Sequence, residues 1–197
     1  MSLVIVSNRL PMSVRKVDGQ LEFYQSTGGL ATGLASYTDR PGTKWIGWPG
    51  VASDNLTESE RAQIIRHLKK HRYYPVFLTQ KQLDEYYSGY SNSVLWPLFH
   101  DLPVRKQPRE YEAGYHQVNK LFADAVLGLS KPGSTIWVHD YQLLLLPHLL
   151  IGRASCERVY QTLFTYPRAR CSSCTLPSHI TRSNRSNRGV FQQNEKK

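Results

Sequence analysis

Hydrophobic and polar positions alternate in blocks along the first 150 residues, and the blocks predict strands and helices in turn. Residues 3 to 7 are a short apolar run that stops at the polar Asn8, which is typical of a buried parallel strand. Residues 12 to 25 alternate on either side of Asp18-Gly19 and predict a hairpin, because both turn positions tolerate positive φ. Further strands are predicted over residues 43 to 48, 73 to 78 and 134 to 138.

Helical spacing separates these strands. The longest helix is predicted over residues 110 to 129, where apolar residues recur at intervals of three and four. Residues 88 to 100 are mostly aromatic and polar, and Pro97 limits any helix there. Other helices are predicted over residues 31 to 37, 57 to 71, 80 to 87 and 142 to 151. Because strands alternate with helices, we predict an α/β fold with a doubly wound parallel sheet.

The distribution of charge divides the chain near residue 151. The net charge is +10, but residues 1 to 150 contain 16 Lys+Arg against 13 Asp+Glu, whereas residues 151 to 197 contain 9 against 2. The second segment also holds all three cysteines, Cys156, Cys171 and Cys174, without the second pair that a zinc site would need. Its residues 168 to 189 show no sustained period. We therefore predict that residues 152 to 197 are a basic, Ser/Arg-rich tail that is disordered.

Composition excludes several classes of protein. A hydrophobic fraction of 40% is enough for a sizeable core, so a wholly disordered chain is not expected. No run approaches the roughly 18 apolar residues of a membrane span, and the N-terminus lacks the pattern of a secretion signal. We therefore expect a cytoplasmic protein. The histidines have no metal-binding spacing such as H-E-x-x-H, so no metal site is expected.

Two polar residues lie just after predicted strands. Arg9 comes after the first strand and Asp140 after the strand that ends at Val138, so a parallel sheet would bring both to one edge. Arg9 suits a phosphate, and Asp140 suits sugar hydroxyls or general-base catalysis. Gly28 and Gly29 open a helix whose free amides favour an anion. Each pattern also has an ordinary structural interpretation: a surface ion pair, a helix cap and a plain turn.

An aromatic run is a further candidate. It includes Tyr87, Trp96 and Phe99, with Trp45 and Trp48 earlier in the chain. Aromatic rings suit the apolar faces of sugars and could equally stack on nucleobases. Core packing is the alternative for each ring.

Six segments, taken in order, closely resemble the UDP-forming trehalose-6-phosphate synthase family. They are Val-Ser-Asn-Arg-Leu-Pro (6 to 11), Gly-Gly-Leu-Ala-Thr-Gly-Leu (28 to 34), Trp-Ile-Gly-Trp-Pro-Gly (45 to 50), the segment from Leu83 to His100, Tyr-His-Gln-Val-Asn-Lys-Leu-Phe-Ala-Asp (115 to 124) and Ile-Trp-Val-His-Asp-Tyr-Gln-Leu-Leu (136 to 144). The resemblance implies a glycosyltransferase of the GT-B fold, built from two Rossmann-like domains. Residues 1 to 151 would be its N-terminal, acceptor-side domain, in incomplete form.

The resemblance also implies a reaction and roles for residues. Such enzymes transfer glucose from UDP-glucose to glucose 6-phosphate with retention, giving trehalose 6-phosphate, and use neither metal nor cofactor. The matching positions are Arg9, Tyr87, Trp96 and Asp140 for glucose 6-phosphate, Gly28 and Gly29 for UDP-glucose, and Trp45 near the site. No catalytic residue is identified. The His-Ile-Pro-Phe-Pro motif and the cationic second domain of the family do not follow residue 151, so we expect this chain to be inactive alone.

Two other functions are compatible with the sequence. The basic tail could bind nucleic acid or an acidic partner through its charge, although neither nucleic acid nor a membrane is the expected partner. The chain could also be a regulatory fragment that associates with a full-length synthase or with trehalose-phosphatase subunits.

Overall fold

A computed structural model describes residues 2–26, 29–34, 37, 40–104, 106–153 and 158–163. Its strands are β1 (Leu3–Arg9), β2 (Met12–Val17), β3 (Gln20–Gln25), β4 (Thr43–Trp48), β5 (Tyr73–Pro75), β6 (Thr135–His139) and β7 (Arg158–Thr162). Strands β2 and β3 form an antiparallel hairpin. The other strands form a parallel sheet in the order β5-β4-β1-β6-β7. This arrangement confirms the predicted α/β fold.

Helices connect the strands. They are α1 (Gly29–Gly33), α2 (Glu58–Lys69), α3 (Gln80–Gln82), a π-helix (Leu83–Leu95), α4 (Trp96–Phe99), α5 (Arg109–Leu129) and α6 (Leu146–Leu150), with 3-10 turns at Ser53–Asn55 and Tyr141–Leu143. A capping box starts α2, since Thr57 Oγ1 accepts from the Glu60 N–H and Glu60 accepts from the Thr57 N–H. Among the described residues, no helix combines the length and the apolar character needed to cross a membrane.

The central strand β1 separates two apolar layers. Val4 and Val6 pack on the side of α5 and the π-helix, whereas Ile5 packs with Trp45 on the side of α2 and the hairpin. All three β1 side chains are fully buried. A strand buried on both faces reads as a continuous apolar run, which is why residues 3 to 7 lack alternation.

The prediction for residues 88 to 100 is wrong, because the structure is helical there. The π-helix widens the turns, and Ser91 Oγ and Ser93 Oγ donate to carbonyl oxygens five residues earlier. Pro97 lies at the start of α4, which continues directly from the π-helix. Close packing on α5 also shapes this segment: a Cβ on Gly89 would lie 2.6 Å from the Tyr111 ring. The strand predicted over residues 73 to 78 is shorter than expected and ends at Pro75.

Strand β7 lies in the segment that was assigned to the disordered tail. It pairs with β6 over five residues, with Thr162 opposite His139. Val159 and Gln161 are half-buried and alternate with exposed neighbours, a pattern too short to stand out in the sequence. The boundary at residue 151 is therefore too early for the sheet. The three cysteines and residues 164 to 197 lie outside the described residues, so the tail itself stays a prediction.

Candidate active site at the carboxyl ends of the strands

A cavity of about 350 Å³ opens where β1 and β6 end. We call it the strand-end cavity, and its lining residues are Ser7, Asn8, Arg9, Leu10, Ser13, Tyr24, Ser26, Leu30, Ala31, Trp45, Tyr87, Asp140 and Gln142. The predicted convergence of Arg9 and Asp140 on one edge is confirmed. Tyr87 and Trp45 join them, although they come from the π-helix and from β4.

Arg9 is held against an aromatic ring. Its guanidinium carbon lies 4.7 Å from the ring centroid of Trp48. The indole is fixed in turn, because Trp48 Nε1 donates to the Val51 carbonyl oxygen at 3.0 Å. This cation–π contact leaves the edge of the guanidinium able to bind an anion.

Gly47 allows the end of β1 to lie close to β4. A Cβ on Gly47 would be 2.8 Å from Leu10 N and 2.9 Å from the carbonyl carbon of Arg9. The pairing of β1 with β4 shifts register between Val6 and Arg9. Any larger residue would therefore push away the backbone that carries Arg9. The sequence analysis did not identify Gly47, although the glycine between two large residues in Trp-Ile-Gly-Trp was a visible signal.

Asp140 has an unusual backbone conformation, with φ at 75°. Its N–H donates to the Thr162 carbonyl oxygen on β7 at 2.9 Å, and its Oδ1 accepts from the Tyr141 N–H at 2.8 Å. Burial raises the pKa of the Asp140 carboxyl above its usual range, and the Tyr141 hydrogen bond partly offsets this rise. The alternative interpretation as a cap is also confirmed, because Asp140 caps the Tyr141–Leu143 turn.

The turn after Asp140 is fixed by buried side chains of α5. Tyr115 OH donates to the Tyr141 carbonyl oxygen at 2.8 Å and accepts from the Leu144 N–H at 3.1 Å. Asn119 Nδ2 donates to the Gln142 carbonyl oxygen at 3.1 Å. The sequence analysis did not identify this role of Tyr115, because helical periodicity does not show what a buried hydroxyl contacts.

The aromatic candidates differ in position. Tyr87 is 38% exposed and lines the strand-end cavity. Trp96 is equally exposed but is not in that lining; its ring lies 3.9 Å from His100 and 5.7 Å from Tyr141, centroid to centroid. Tyr141 connects Trp96 to the Asp140 turn, and its hydroxyl also donates to Asn92 Oδ1 at 3.1 Å.

Trp45 and the pair Gly28-Gly29 have weaker links to the strand-end cavity than Arg9, Tyr87 and Asp140. Trp45 is 1% exposed and its Nε1 donates to Ser7 Oγ, so it is a core residue with one surface on the cavity. Gly29 begins α1, from which Leu30 and Ala31 reach the cavity lining. Gly28 lies outside the described residues. The role of both glycines in binding phosphate stays a prediction.

A sequence model of glycosyltransferase family 20 matches residues 1–164. The chain belongs to glycosyltransferase family 20. The match extends through β7, which agrees with the position of that strand in the sheet.

Individual relatives support the same family. The chain is 41% identical over 151 residues to an alpha,alpha-trehalose-phosphate synthase [UDP-forming] of Botryotinia fuckeliana, and 42% identical over 149 residues to a trehalose-6-phosphate synthase of Mycolicibacterium vanbaalenii. Each alignment covers 75% of this chain but only 28% and 30% of the relative. The chain thus spans less than a third of the length of these relatives.

Solved structures agree with the fold. An alpha,alpha-trehalose-phosphate synthase from Burkholderia xenovorans in complex with glucose 6-phosphate matches with a TM-score of 0.59 and 28% identity, covering 83% of this chain and 33% of that one. An E. coli structure bound with UDP-2-fluoro glucose matches with a TM-score of 0.59 and 31% identity, covering 80% and 32%. The family resemblance inferred from the six motifs is confirmed, since the relative from Botryotinia fuckeliana is a UDP-forming trehalose-phosphate synthase.

Proposed function

We propose that this chain provides the acceptor half of a retaining glucosyl transfer from UDP-glucose to glucose 6-phosphate, which forms trehalose 6-phosphate. The observation that carries the proposal is that Arg9, Tyr87 and Asp140 line one cavity at the carboxyl edge of the sheet. A hexose phosphate offers complementary chemistry, because its phosphate pairs with a guanidinium and its hydroxyls donate to a carboxylate.

Arg9 and Asp140 have separate tasks in this proposal. Arg9, with Tyr87 beside it, binds the phosphate, while Asp140 accepts hydrogen bonds from the sugar. Trp96 extends the acceptor site through Tyr141, and the loop of Gly28 and Gly29 meets the phosphates of UDP-glucose. Similarity to the Burkholderia xenovorans synthase in complex with glucose 6-phosphate supports the choice of acceptor.

Catalysis requires stabilisation of the departing UDP by positive charge. Among the described residues that line the strand-end cavity, Arg9 alone carries a formal positive charge. We therefore expect the 197-residue chain to bind glucose 6-phosphate but not to release UDP from UDP-glucose. A UDP-release assay with both substrates tests this, and a turnover on the order of 1 per second or faster would contradict it.

Binding of the acceptor is measured by titrating the chain with glucose 6-phosphate in a calorimeter or by ligand-observed NMR. Arg9→Gln should weaken binding about tenfold or more, since a charge-assisted pair is lost. Arg153→Gln is the matched control, because Arg153 is exposed and lies 3.4 Å from Asp124, with no place in the cavity lining. Equal affinity of the Arg9→Gln variant and the natural chain would refute the phosphate role of Arg9.

The proposal extends to location and partners. We place the chain in the cytoplasm. We also propose full-length synthase or trehalose-phosphatase subunits as its protein partners, because the chain covers only 28% and 30% of the length of two synthases that it matches. A pull-down with the tagged chain tests this, and the absence of these proteins among those captured would count against the partner proposal.

A further inference from the structure

A second polar side chain lies beside Asp140 in the wall of the strand-end cavity. Gln142 lines the cavity and is only 5% exposed. Within the part of the chain that the structure describes, its Oε1 is buried and has no hydrogen-bond partner. A buried polar atom without a partner is rare in native proteins and costs about 1 to 3 kcal/mol, so it needs an explanation.

The backbone around Gln142 is fixed, in contrast to its carboxamide. Asn119 Nδ2 holds the Gln142 carbonyl oxygen at 3.1 Å, and Tyr115 OH holds the carbonyl oxygen of the preceding residue at 2.8 Å. Rotation about the last side-chain bond of glutamine is broad and roughly two-fold. The amide can therefore turn either its oxygen or its nitrogen toward the cavity without moving the backbone.

We propose that Gln142 is a sugar-recognition residue that hydrogen-bonds a hydroxyl of the acceptor hexose next to the hydroxyls bound by Asp140. A carboxamide suits this task because it both donates and accepts, as a sugar hydroxyl does. An ionised Asp140 can only accept hydrogen bonds, so it binds hydroxyls that donate. Gln142 can bind a neighbouring hydroxyl either as donor or as acceptor. The inference rests on the proposed function, since it requires a hexose phosphate in this cavity.

The phosphate and the sugar can be tested separately. Gln142→Met removes the amide and keeps a side chain of similar length and shape. It should weaken binding of glucose 6-phosphate to the 197-residue chain about tenfold, because one buried hydrogen bond to the sugar is lost. Binding of inorganic phosphate, which contacts Arg9 and not Gln142, should be unchanged.

Gln161→Met is the matched control. Gln161 donates to the backbone carbonyl oxygens of Asp140 and Leu143 at 3.3 and 3.4 Å, so it supports the same turn but does not line the cavity. This variant should keep most of the preference for glucose 6-phosphate over inorganic phosphate. Gln142→Met should also unfold no more easily than the natural chain, because it removes an unpaired buried group.

Each outcome decides between the possibilities. A selective loss of glucose 6-phosphate binding in Gln142→Met supports the inference. Undiminished binding, an equal loss for both ligands, or the same selective loss in Gln161→Met would overturn it and leave the proposed function intact. Failure of the natural chain to bind glucose 6-phosphate at all would instead overturn the proposed function, and the inference with it.

Discussion

The strand-end cavity has two walls that are held in place by different kinds of interaction. One wall is the hairpin of β2 and β3, which contributes Ser13 and Tyr24. Near its base the Val14 N–H donates to the Pro49 carbonyl oxygen at 2.7 Å. Farther out, Lys16 lies 2.8 Å from Glu60, and the Phe23 ring stacks on His67 at 3.8 Å, both on helix α2.

The other wall is the turn at Tyr141–Leu143, with Asp140 at its start. Its backbone is fixed by Tyr115, which is 1% exposed, and by Asn119, which is fully buried. These hydrogen bonds lie in a medium of low dielectric constant, where they are stronger than in water. A buried polar group that loses its partner there destabilises the fold.

The difference shows how one cavity can combine a precise side and an adaptable side. The Asp140 turn is supported in the core, so its geometry should persist over a wide range of salt and ligand conditions. The outer hairpin depends on contacts near the surface, which salt and pH weaken readily. Substitutions in the Asp140 turn should therefore have larger effects than substitutions in the outer hairpin.

The largest effect should come from Tyr115→Phe. This change removes one hydroxyl and leaves both the Leu144 N–H and the Tyr141 carbonyl oxygen without their buried partner. The free energy of unfolding should fall by about 2 to 6 kcal/mol, because each of the two groups costs about 1 to 3 kcal/mol when it has no hydrogen-bond partner. Denaturant titration measures this, and the affinity for glucose 6-phosphate should fall as well.

Tyr160→Phe is the control for the loss of a hydroxyl. Tyr160 is 46% exposed on β7, so the change should stay within about 0.5 kcal/mol, as surface substitutions usually do. Equal stability of the Tyr115→Phe and Tyr160→Phe variants would contradict the claim that buried hydrogen bonds fix the turn.

Periodicity and turn chemistry predicted much of this architecture. The strand at residues 3 to 7, the Asp18-Gly19 hairpin and the helix at residues 110 to 129 follow from patterns within a few residues of one another. The meeting of Arg9 with Asp140 also followed, because parallel strands bring their carboxyl ends to one edge.

The remaining features depend on contacts between distant segments. The hydrogen bonds of Tyr115 span 26 and 29 residues, and those that fix Asp140 to β7 span about 20. No local pattern shows which carbonyl oxygen a buried hydroxyl will reach. The π-helix was missed from residue 88 onward, because its wider turns break the spacing of three and four that indicates an α-helix.

Acidification should destabilise the folded protein through His139, at the base of the turn. Burial lowers the pKa of His139 from 6.5 to about 4, so the folded protein resists a proton that the unfolded chain accepts. The stability that neutral His139 contributes is present above pH 6.5 and is lost as the pH falls toward about 4. Between pH 7 and pH 5 this should cost about 2 kcal/mol, given 1.36 kcal/mol per pKa unit.

His139→Phe tests this contribution, because it removes the titrating ring from the base of the turn. Unfolding of the natural chain and the variant is compared at pH 7, 6 and 5, and the variant should lose less stability on acidification. Asp140 acts in the opposite direction, since its raised pKa favours protonation in the folded state, but it is present in both proteins. His148→Phe, at an exposed position, should retain the full acid loss. Parallel pH profiles for the natural chain and His139→Phe would refute the role of His139.

The smallest effect should come from the hairpin wall, in Lys16→Met. The hydrogen bond from Lys16 is the main reason that the pKa of Glu60 is lowered to about 2, but the pair is close to solvent. Its contribution is present above the usual glutamate pKa of 4.5 and is lost as the pH falls toward about 2. In 0.1 M salt at neutral pH the variant should unfold slightly more easily than the natural chain. In 1 M salt the difference should disappear, because the screening length falls from about 10 Å to about 3 Å.

Lys81→Met is the control, since Lys81 is 82% exposed and lies 3.8 Å from Glu85. If Lys16→Met proved as destabilising as Tyr115→Phe and insensitive to salt, the hairpin wall would be as firmly held as the turn, and the contrast between the two walls would be wrong.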